Sequence, residues 1–67
     1  MIYVIKHDWL HYIIANSTPN DINWTGLIGD ALAFTSHNDA ALFLEARFET
    51  LGHDASRQHY TIKPVRL

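Results

Sequence analysis

Apolar and polar positions change rhythm repeatedly along the chain. Ile2-Tyr3-Val4-Ile5 and His11-Tyr12-Ile13-Ile14 are β-branched and aromatic runs, the composition that suits a pleated, half-buried surface. Lys6-His7-Asp8-Trp9 between them is polar enough to turn the chain, which predicts an antiparallel hairpin. In the first run Tyr3 and Ile5 face one side while Ile2 and Val4 face the other. A strand apolar on both faces is ordinarily covered on both, and a single helix covers only one. From Asn16 to Asp30 the chain turns to Asn, Ser, Thr, Pro, Asp and Gly, which reads as a long loop with Trp24, Leu27 and Ile28 as anchors that pack it down. Ala31 to Thr35 reads as a short third strand with Phe34 turned into the core.

The clearest periodicity follows. Ser36-His37-Asn38-Asp39 fits a helix-capping pattern, with Ser36 as the N-cap and Asp39 placed near the positive helix end. Ala40, Ala41, Leu44, Phe48 and Leu51 then recur on one face at about 100° per residue. Gly52 supplies the left-handed residue that commonly ends a helix. The helix is therefore predicted over His37 to Leu51. Strand character resumes from His59 to Val65, and Pro64 suggests a sheet edge or a strand end. The resulting order is β-β-(β)-α-β. It predicts a single α+β domain over residues 1–67, with an antiparallel or mixed sheet of three or four strands and one helix on one face.

Composition narrows the chemistry. With 67 residues the core is thin, and a chain this short often gains stability from disulfides, metals or association. The absence of Cys removes disulfides and thiolate ligands from that choice. The apolar fraction of 48% against 18% charged residues argues for folding rather than disorder. The net charge of −2 disfavours nucleic acid, which normally demands a dense basic footprint. No run approaches a bilayer span and no secretion signal is apparent, so the expectation is a cytoplasmic protein without a membrane partner.

Candidate chemistry is sparse. Five histidines invite a metal reading, through His7 and His11 or through His53, Asp54 and His59. The first pair falls in a predicted hairpin, and no further ligand has motif spacing, so neither a metal nor another cofactor is expected. Ser56 with His59 is the nearest nucleophile–base pairing, yet nothing around it resembles a nucleophile elbow. Glu45 and Glu49 stand one helical turn apart on the solvent side. No nucleophile–base–orienter set emerges, and the reading is non-enzymatic. The helix does carry an anomaly. Leu42 points nearly opposite the core stripe, with Phe43 and Ala46 towards that side, where charged residues are the rule. Together with Trp9, these residues are the candidate protein-binding surface, serving a partner or a second copy in a homodimer. The alternative is a nucleic-acid-associated domain using Arg57, Lys63 and Arg66.

Trp24-Thr25, Ala31, Phe34-Thr35-Ser36 and Ala40, framed by Tyr3-Val4-Ile5-Lys6 and Tyr60-Thr61-Ile62-Lys63-Pro64-Val65, resemble a pattern in small phage and prophage proteins. The resemblance spans nearly the whole chain, but the motif is structural. It implies a mobile-element origin and action in the host cytoplasm. Proteins of this kind include inhibitors of host defence that work by occluding a surface. Trp24-Thr25-Gly26 also looks like the opening of the DNA-binding WGR module, although Leu27 stands where that motif has Arg.

Overall fold

A computed structural model describes residues 1–51 and 57–66 of the chain; the side chain of Leu51 lies outside that description. Strands β1 (Ile2–His7), β2 (His11–Ile13), β3 (Trp24–Thr25) and β4 (Tyr60–Val65) form one antiparallel sheet in the order β3-β2-β1-β4. Helix α1 runs from His37 to Leu51 and packs on one face. This is the α+β arrangement, β-β-β-α-β, that the apolar rhythm predicts. The expected core residues Ala40, Leu44 and Phe48 are buried, and with Ile5 and Ile13 they make the centre of the core. Ser36 caps the helix, its Oγ accepting the Asp39 N–H at 3.0 Å. Gly52, the expected helix end, lies outside the described residues.

The third strand is not where the pattern placed it. β3 sits inside the predicted loop, at Trp24–Thr25, paired with Ile13 and Tyr12. Residues 31–34 do something else. The Leu32 N–H donates to the Ile13 carbonyl at 2.8 Å, and Phe34 exchanges both backbone hydrogen bonds with Tyr3 at 2.8 and 2.9 Å. The β1–β2 hairpin pairs only near its turn, through Lys6–Tyr12 and His7–His11. Beyond that its strands splay, and residues 31–34 fill the gap. Alternation along a strand sends successive backbone groups to opposite edges. The chain must therefore pass from one edge of β2 to the other between Thr25 and Ala31.

The remainder of the loop is tied down by polar bonds. The Ser17 hydroxyl bonds both the N–H and the carbonyl of Asn23, Thr18 and Asp21 exchange backbone bonds, and Arg47 Nη1 donates to the Pro19 carbonyl at 3.0 Å. Of the three expected anchors only Trp24 packs against the core; Leu27 and Ile28 are exposed. A tight turn rather than apolar burial fixes that stretch, with Asp30 N–H on the Leu27 carbonyl and Ala31 N–H on that of Ile28.

The face of β1 away from the helix is not bare. Val4 is fully buried there, and Ala31, paired with Ile14 on that side, is buried as well. Part of the apolar excess that suggested a contact surface is thus absorbed within the molecule.

Candidate functional site

The turn end of the sheet concentrates rings. β1 and β4 pair with His7 opposite Tyr60, β1 runs straight into the turn that bears Trp9, and β3 supplies Trp24. His7 is 7% exposed and lies at the centre. Its ring centroid is 5.0 Å from Tyr60, 5.4 Å from Trp9, 5.5 Å from Trp24 and 5.8 Å from His59. Tyr60 in turn meets Phe48 edge-on at 5.3 Å. A continuous line of aromatic contact therefore runs from the helix core through Tyr60 and His7 to Trp9 at the surface. The Tyr60–Phe48 pair adds about 0.5–1.5 kcal/mol beyond area burial.

Hydrogen bonds fix the turn. His7 Nδ1 accepts the backbone N–H groups of Trp9 at 3.2 Å and Leu10 at 3.3 Å. An imidazole nitrogen that accepts carries no proton, so neutral His7 holds its proton on Nε2. Burial, reinforced by the neighbouring His59, lowers the His7 pKa, and Asp8 opposes this only in part. Asp8 also joins the turn to the residue that leads into β4. Its N–H donates to the His59 carbonyl at 3.1 Å, and its Oδ2 accepts from His59 Nδ1 at 3.1 Å. Trp9 packs on that same His59 with the rings tilted by 46° and centroids 4.3 Å apart, while 68% of its surface stays in solvent.

His59 is thus a histidine oriented by a carboxylate, half of a general-base arrangement. Ser56, the nucleophile paired with it on sequence grounds, lies outside the described residues, as do His53 and Asp54. No cleft forms among the described residues, and no group of three or more metal-ligating side chains converges there. His11 sits exposed at the turn with its φ at 70°. The arrangement presents an aromatic side chain to the outside and encloses nothing.

The other expected residues scatter. Leu42 is 59% exposed on the helix, as its phase predicts. Phe43 turns to the core margin, packing on Phe34 with centroids 5.5 Å apart, and Ala46 is half-buried. These three do not form one open apolar face. Arg57 pairs with Glu45 at 3.3 Å and lies over the Phe48 ring at 4.7 Å, so its charge is shared and its plane occupied. Lys63 and Arg66 are exposed on and just after β4. Among the described residues no helix is long and apolar enough to cross a membrane.

Sequence reasoning missed the grouping of His7, Asp8, His59 and Tyr60 around Trp9. A signal was present: one strand ends at His7, with Asp8-Trp9 next, and another begins at Tyr60, just after His59, so antiparallel pairing of those ends brings the rings together. Comparison of the chain with protein-family models, curated proteins and solved structures finds no match.

Proposed function

We propose that the protein is a non-catalytic accessory module of phage or mobile-element type that docks onto another protein, with the Trp9 turn as its principal contact. The observation that carries this reading is a tryptophan both exposed and fixed, packed against His59 while its turn is bonded to His7. Tryptophan is the residue most enriched at interface hot spots. A side chain already held in place loses little conformational freedom on binding. Leu10, beside it and exposed, extends the apolar tip, and Leu42 is a second point on the helix. Phe43, packed on Phe34, and half-buried Ala46 offer less contact surface. The resemblance to small phage proteins directs the module to a host protein, including one of a defence system.

The test is capture of a stoichiometric complex from cells that express the protein, followed by challenge with Trp9→Ala and with raised salt. Trp9→Ala costs about 2 kcal/mol or more of binding, roughly thirtyfold in affinity. The complex survives salt. If labelled DNA or RNA binds instead, with affinity falling steeply as salt rises and depending on Lys63 and Arg66, the docking reading is overturned in favour of a nucleic-acid accessory domain.

A further inference from the structure

The turn that presents Trp9 is closed by an acceptor that only one protonation state of His7 possesses. Nδ1 accepts two backbone N–H groups, from Trp9 and from Leu10. A proton taken up from solvent at Nδ1 turns that acceptor into a third donor facing two others, and both bonds are lost. It also places a cation at a buried position, 5.8 Å from a second imidazole. We infer that the β1–β2 turn is a proton-operated latch, in which neutral His7 holds Trp9 against His59 and protonation of Nδ1 lets the turn open. The latch goes beyond the docking reading, because it concerns the free protein whatever Trp9 binds.

The groups around His7 set the direction. Asp8 follows it in the chain, His11 pairs with it across the hairpin, Tyr60 reaches it from β4, and His59 from the short 3-10 turn just before β4. Trp24 reaches it from β3, and Phe48 of the helix lies behind Tyr60. Arg57 lies over the Phe48 ring and is paired with Glu45, and Lys6 belongs to the opposite face of β1. Among the described residues just named, Asp8 and Glu45 favour an imidazolium. Glu45 is engaged by Arg57, and Asp8 Oδ2 is engaged by His59. Because the folded state holds His7 below its ordinary value of 6.5, the unfolded chain binds more protons just below that pH. Stability from this residue is full above 6.5 and declines as the pH falls through the folded value.

Nuclear magnetic resonance of the intact chain tests the latch. His7 imidazole nitrogens and the Trp9 and Leu10 amides are followed from neutral to acid pH in the native sequence and in His7→Asn. Asparagine Oδ1 accepts the same N–H groups without titrating. The expected result is an Nε2–H tautomer at neutral pH and a joint shift of His7, Trp9 and Leu10 with a midpoint below 6.5. In His7→Asn the shift of the two amides disappears. An Nδ1–H tautomer, a midpoint at or above 6.5, or an amide transition that persists in His7→Asn overturns the proposal, the last by assigning the transition to His59. Should His7→Asn fail to fold, the tautomer and midpoint in the native chain decide alone.

Discussion

His11 holds a conformation that L-residues avoid. Its φ of 70° closes the three-residue turn Asp8–Leu10, the position where hairpins of this length favour glycine. A left-handed residue with a side chain costs about 1–2 kcal/mol, histidine being among the more tolerant types. His11→Gly should therefore raise stability by about 1 kcal/mol, read as a higher urea midpoint at unchanged slope, and His11→Val should lower it. A residue-level contrast on the helix is equally direct. Leu42→Glu stays within about 0.5 kcal/mol of the native stability, because the side chain already lies in water. Phe48→Ala removes about 3–5 kcal/mol, enough to unfold much of so small a domain, as thermal denaturation would show. A large loss from Leu42→Glu would mean that its surface is covered in solution, by a second copy for instance, and light scattering distinguishes that case.

At the scale of elements, the helix and strands β1, β2 and β4 were legible because their signals are local. Ser36 caps through its own hydroxyl, and Ala40, Leu44 and Phe48 repeat with the helical period, so sequence and structure agree over His37–Leu51. Ser36→Ala should cost about 1 kcal/mol and Ser36→Asp should restore it, measured by the same denaturation. β3 was hidden because two residues carry no period, and residues 31–34 looked like a strand because they satisfy strand-like bonds without forming a ladder. The expectation for Pro64 met its physical reason. β4 is an outer strand, and Tyr3 opposite Pro64 spends its N–H and carbonyl on Phe34. By alternation the missing proline N–H is one that would point outward, where it removes a donor from the open edge. Pro64→Val should leave the sheet intact by circular dichroism and increase self-association by light scattering.

For the whole molecule, what could not be read from sequence was what long-range pairing brings together. His7 with Trp9, Trp24, and His59 with Tyr60 come from three separate parts of the chain, and only the register of β1 with β4 and of β2 with β3 gathers them. The apolar excess was legible, but not its distribution: Val4 and Phe43 are taken inward while Trp9 and Leu42 are left out. The same register has a bearing on how the chain folds. β1 finds its longest partner between Tyr60 and Val65, so that ladder spans almost the full 67 residues. Until that ladder closes, β1 lacks its main partner and is apolar on both faces. Folding is consequently slow for a domain of this size, with the unpaired strand open to chaperones until that pairing closes.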